Sequence, residues 1–104
     1  IHLMNAERLA KMRKGAVLVN SARGDIVDEA ALVEALKSGH LGGAGLDVFE
    51  REPEITLALT TMENVCLLPH LGSATVETRE AMGFTVLKNL EAFFRGEKIP
   101  NRVV

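Results

Sequence analysis

The chain has 104 residues, 47% of them hydrophobic and 25% charged, with a formal net charge of −2. That is ordinary globular material for a single domain with a real core. The slight negative charge gives nucleic acid or another polyanion no basic surface to hold, and the apolar runs fall far short of the ~20 residues a membrane helix needs. The single cysteine, Cys66, excludes an intrachain disulfide. Set among Val65, Leu67 and Leu68, it reads as a buried core thiol with no redox role. His2, His40 and His70 are too scattered to suggest a metal site. The sequence opens on Ile1 as if mid-structure, which leaves a targeting segment in a longer parent open.

In chain order, Asn5 is the N-cap of a short helix over residues 6–12, with Leu9 and Met12 facing inward. Arg13 and Lys14 suit its negative end and Gly15 its C-cap. Residues 16–19 form an uninterrupted apolar run, which suits a strand buried on both faces. The sequence then turns polar at once through Asn20, Ser21, Ala22, Arg23 and Gly24. Asp28 caps a second helix over residues 29–38, where Asp28 and Glu29 read as helix-start acids and Leu32, Ala35 and Leu36 face inward. Gly39 ends it, and His40 reads as a partly exposed residue just beyond. Gly42, Gly43 and Gly45 crowd around a second strand, residues 43–48. They are no phosphate loop, because that loop lies between a strand and the helix after it. A short helical segment over 57–62 precedes the third strand, 65–68, which Pro69 stops just before His70. Thr75 caps a last helix over 76–95, whose inward stripe is Met82, Val86, Leu90 and Phe93, widened by Leu87 and Phe94. At ~30 Å it is long enough to reach something outside the sheet.

The three strands therefore end, in order, at Arg23, at Asp47 with Glu52, and at His70. In open α/β sheets ligands sit off the carboxyl ends of the strands. If the strands are parallel neighbours, a guanidinium, a carboxylate and an imidazole gather on one edge. That is a proton-transfer site with an anion clamp.

The stretches L-V-N-S-A-R-G-D-I-V-D-E, G-A-G-L-D-V-F-E-R-E-P and L-P-H-L-G-S-A-T-x-E-T-R-x-A-M closely resemble the D-isomer-specific 2-hydroxyacid dehydrogenases. The glyoxylate/hydroxypyruvate reductase branch is nearest, with phosphoglycerate dehydrogenase a cousin. The resemblance runs from H-L-x-N-A-E-R-L to P-N-R-V-V, and nothing in these motifs departs from the family pattern. It implies an α/β fold: residues 1–75 as the second half of a Rossmann-type NAD(P)-binding domain, a parallel sheet with flanking helices. Residues 76–104 would be an interdomain helix and a tail returning toward a substrate domain. The glycine-rich phosphate loop and the acid that holds the adenosine ribose would lie before Ile1. The chain would thus be a fragment, inactive alone, of a cytoplasmic, homodimeric oxidoreductase.

By the same resemblance, Arg23 grips the substrate carboxylate, which a planar guanidinium matches with two hydrogen bonds. His70 gives a proton to the substrate carbonyl, and Glu52 supports the charged ring. Asp47 lies near the nicotinamide carboxamide. Ser21, Ala22 and Arg23, with His70, Leu71, Gly72 and Ser73, line the nicotinamide half of the cofactor. The cofactor is NAD or NADP, since the segment that discriminates them is missing. The substrate is a small 2-oxo or 2-hydroxy acid, and no metal, membrane or nucleic acid takes part. The alternative is a nicotinamide-sensing binding protein like the C-terminal-binding-protein corepressors, which keep the same triad; the even charge pattern and lack of interaction tails disfavour it.

Overall fold

The apolar segments become three short strands, β1 (Val17–Asn20), β2 (Gly43–Leu46) and β3 (Val65–Leu67). A computed structural model, describing residues 1–103, pairs them as one parallel sheet in the order β1-β2-β3. The register sets Val19 beside Gly45 and Gly45 beside Cys66. The helices are α1 (Ala6–Ala10), α2 (Glu29–Lys37), α3 (Leu57–Thr60) and α4 (Val76–Phe94). Parallel neighbours need a crossover between them. Helix α2 lies in the first crossover and α3 in the second. The chain divides into two compact units, the first running from Ile1 to Gly72 and the second starting at Ser73.

Local chemistry sets the helix starts in the first unit. The Asn5 side chain accepts from the Arg8 amide and Asp28 from the Ala31 amide, so one orphan donor at each N-terminus is satisfied. Gly15 and Gly39 follow the helices at φ 81° and 71°, a region open to glycine at little cost. Leu9 of α1, Leu32, Val33 and Leu36 of α2, Leu59 of α3, and Ala44 and Leu46 of β2 form one buried cluster. Leu18, Val65 and Leu67 pack against it.

The three helices of the first unit therefore serve one face of the sheet, and this corrects two sequence expectations. Strand β1 is not buried on both faces: Val17 and Val19 are 61% and 72% exposed. Cys66 is not a core thiol but is exposed, in the same row as Val19. Side chains alternate along a strand. Turning Leu18 and Leu67 toward the helices thus turns Val17, Val19 and Cys66 to the other side. An apolar sequence run does not reveal whether a second layer covers that side.

In the second unit, Thr75 caps α4 by accepting from the Thr78 amide. Gly96, at φ 69°, ends it, its amide bonding to the Phe93 carbonyl and that of Glu97 to Ala92. The tail folds back through paired amides of Asn89 and Asn101. The expected inward stripe is not buried: Met82, Val86, Leu87, Leu90, Phe93 and Phe94 are all exposed, and Ala92 is the buried residue of the helix. Among the described residues, its unit holds no second helix or strand to bury a stripe against. No helix among the described residues is long and apolar enough to cross a membrane.

Candidate active site

Each strand hands over to a loop at its carboxyl end, and the loops are tied to one another. Off β1, Asn20 is 7% exposed. Its Oδ1 accepts from the Ala22 amide at 3.1 Å, and its Nδ2 donates to the Arg23 carbonyl at 2.8 Å. Ser21, Ala22 and Arg23 are exposed. Among the described residues, the hydrogen bond of the Arg23 guanidinium is local, Nη1 donating to the Ala22 carbonyl at 2.7 Å. Gly24 is buried so tightly that a Cβ there would stand 1.9 Å from the Phe49 carbonyl carbon and oxygen. The arginine loop is thus pressed onto the loop that follows β2.

Off β2, the Asp47 amide donates to the Asn20 carbonyl at 3.0 Å. The Asp47 carboxylate, 6% exposed, accepts from the Leu71 and Gly72 amides, each at 2.7 Å. The next residues are braced from α2: Glu29 accepts from the Glu50 amide at 2.8 Å and from the Thr56 hydroxyl. Glu29 is 5% exposed, so it is more than a charge at a helix start.

Off β3, His70 sits at φ 57°, where few non-glycine residues are found. The turn is held on its far side, because the next two amides are those captured by Asp47. His70 Nδ1 lies 2.9 Å from Glu52 Oε2, and Glu52 Oε1 accepts from the Phe49 amide at 3.0 Å. The His70 hydrogen bond and then the Phe49 amide hold the Glu52 carboxyl below its ordinary 4.5, the charges of His70 and Arg23 adding and burial opposing. An ionised carboxylate only accepts. Nδ1 therefore carries the hydrogen of the shared bond, which leaves Nε2 for other chemistry.

The structure thus brings Glu52 to His70, and the positive charge of Arg23 adds to what holds the Glu52 carboxyl low. It ties Asp47 to Leu71 and Gly72. It also brings the Ser21 carbonyl to 4.0 Å from where a Gly72 Cβ would stand. Ser73 opens the second unit and is exposed. Sequence reasoning anticipated the close backbone approach at Gly24 but missed Asn20 and the bracing role of Glu29. Only Asn20 had a local signal, an asparagine where a strand turns.

On the open face, at the strand ends, lies a cleft of about 310 Å³ whose walls include Val19, Ser21, Gly45, Asp47, Leu71 and Gly72. An apolar lining with a few convergent polar groups, at the carboxyl ends of parallel strands, suits a flat amide-bearing ring. The residues present therefore fit the nicotinamide end of a dinucleotide. A larger hollow of about 570 Å³ between α1 and α2 is walled mainly by alanines and lies away from these groups.

A parallel sheet, helices on one face and a cleft at the strand ends define part of a Rossmann-type nucleotide-binding domain. The chain belongs to the D-isomer specific 2-hydroxyacid dehydrogenases: residues 1–72 match the NAD binding domain of that family. It is 53% identical over 103 residues to a glyoxylate reductase of Pyrococcus furiosus, covering 99% of this chain and 31% of that protein. Hydroxyphenylpyruvate reductase of Plectranthus scutellarioides is also 53% identical over 103 residues, covering 99% and 33%. The NADPH-dependent glyoxylate/hydroxypyruvate reductase of Sinorhizobium meliloti, solved with NADP and malonate, superposes with a TM-score of 0.93 at 48% identity, covering 99% of this chain and 32% of that one. The chain spans about a third of the length of the relatives it matches.

Proposed function

We propose that the chain is the nicotinamide-side half of the cofactor domain of a longer NAD(P)-dependent oxidoreductase, which interconverts small 2-oxo acids and D-2-hydroxy acids of the glyoxylate or hydroxypyruvate type. The observation that carries this reading is the Glu52–His70 hydrogen bond at the ends of adjacent parallel strands, with the charge of Arg23 acting on the same carboxylate. Residues 1–75 belong to the cofactor domain. Residues 76–104 form the interdomain helix and returning tail, whose exposed stripe is available to bury against the rest of a homodimeric enzyme.

The nicotinamide, when bound, supplies the hydride. Arg23 binds the substrate carboxylate and so orients the adjacent carbonyl. His70 holds a proton at Nε2 and gives it to the carbonyl oxygen, recovering it in the reverse direction. Glu52, kept ionised, fixes the ring through Nδ1 and balances its charge. Asp47, which holds the Leu71–Gly72 turn, would lie near the nicotinamide carboxamide. Ser21, Ala22, Arg23, His70, Leu71, Gly72 and Ser73 would line that half of the cofactor.

The test is glyoxylate- and hydroxypyruvate-dependent oxidation of NADH and NADPH by the complete protein. Rapid turnover is expected, and His70→Gln or Arg23→Ala should lower it by ~10²-fold or more. Undiminished activity in both variants would refute the assignment. Slow turnover with tight cofactor binding would point to a nicotinamide sensor instead.

A further inference from the structure

We propose that Asn20 is a positioning residue for substrate recognition: its buried amide fixes the backbone that carries the Arg23 guanidinium. The proposal rests on the reading of Arg23 as the carboxylate clamp.

Asn20 is the last paired residue of β1, in register with Leu46. Its own carbonyl accepts from the Asp47 amide. Its main chain is therefore fixed to the sheet on the side of β2. The side chain carries that rigidity forward, since one end of the amide accepts from Ala22 N–H and the other donates to Arg23 C=O. Both contacts are satisfied by only one orientation of the amide. Few side chains can replace it: aspartate offers acceptors only, and serine offers one oxygen.

Arg23 depends on this anchor. It is exposed, and the hydrogen bond its guanidinium makes goes to the neighbouring Ala22 carbonyl. Its side chain is not wedged into a core, so its reach toward an anion is set by where its Cα is held. On one side the Asn20 amide holds it. On the other, Gly24 packs against the Phe49 carbonyl. Recognition by an arginine fork degrades with small displacements, because both of its hydrogen bonds must line up at once.

A residue that only shaped the turn would show the same contacts. The two roles separate in a double-mutant cycle with Arg23, run in the complete protein. Asn20→Ala and the near-isosteric Asn20→Asp should each lower kcat/KM for glyoxylate about tenfold, the effect of losing one or two well-placed hydrogen bonds. They should weaken oxalate binding to the NADP-bound enzyme by a similar factor. Affinity for NADPH, followed by its fluorescence, should fall by less than the oxalate affinity, since Ala22 and Arg23 would meet only the nicotinamide end of a long dinucleotide. In an Arg23→Ala background the same substitutions should cost little more, because the group they position is gone. A full tenfold loss in that background would overturn the proposal. So would a loss confined to NADPH affinity, which would make Asn20 a cofactor contact, or failure of both variants to fold. Wild-type activity in Arg23→Ala alone would sink the functional reading, and this proposal with it.

Discussion

His70 and Glu52 stand 18 residues apart in sequence, yet Nδ1 of the one lies 2.9 Å from Oε2 of the other. Parallel pairing makes this possible, because it sets the carboxyl ends of β2 and β3 side by side. The other oxygen of Glu52 is occupied by the Phe49 amide. The carboxylate is thus aimed at the ring rather than free to swing.

This pairing has an acid signature. The Glu52 carboxyl is held below its ordinary 4.5, first by the His70 hydrogen bond. A depressed folded value adds stability that is complete above the unfolded value and lost as pH falls through the folded one. The stabilisation of the wild type over Glu52→Gln should therefore shrink as pH falls below 4.5 and the Glu52 carboxyl takes up its proton. Denaturant titrations of the complete protein over a pH series measure this. A difference that instead grew toward low pH would contradict the geometry.

Asp47 gives a second prediction. Both of its oxygens accept from backbone amides of the turn that follows His70. Asn would keep one acceptor and put a donor against the other N–H. Asp47→Asn should cost about 1–3 kcal/mol, the penalty for a buried donor left unpaired. Amide exchange at Leu71 and Gly72 should quicken before the rest of the domain opens. Unchanged exchange at both positions would mean that the turn is held by something else.

Much of this was legible in the chain, for reasons that differ from residue to residue. Asn5, Asp28 and Thr75 were readable as caps because capping is settled within a few residues. The three strand ends were readable because an apolar run that turns abruptly polar must leave the sheet there. Cys66 and the α4 stripe were misread for one shared reason. Apolar periodicity reports which side could be buried, not whether anything lies against it, and both are exposed. Glu29 was read as a helix-start charge. Its partners, Glu50 and Thr56, lie 21 and 27 residues away, where no local pattern reaches.

Gly24 tests whether the loops work as one assembly. Its absent Cβ would fall 1.9 Å from the Phe49 main chain, with the Glu50 nitrogen 2.5 Å away. No rotamer change can relieve a clash with backbone, so one loop must move. Gly24→Ala should destabilise the protein by about 3 kcal/mol, at the upper end for overpacked interiors. Folded Gly24→Ala protein should lose activity as well, because the shift displaces the loop that carries Arg23. A variant with wild-type melting temperature and turnover would show that the two loops have slack.

The isolated 104-residue chain offers the last test. Strand β1 pairs with β2 on one side and carries no partner strand on the other among the described residues, and its Val17 and Val19 side chains are exposed. An uncovered edge with apolar side chains is a template for another chain. The folded 104-residue chain should therefore associate with concentration in sedimentation velocity. Val19→Lys should weaken that association, since a charge on an edge strand opposes pairing. Val86→Lys, on the exposed stripe of α4, serves as the comparison. If Val86→Lys abolished the association and Val19→Lys left it intact, the helix rather than the strand edge would be responsible. A monomer at high concentration would show that neither surface recruits a partner.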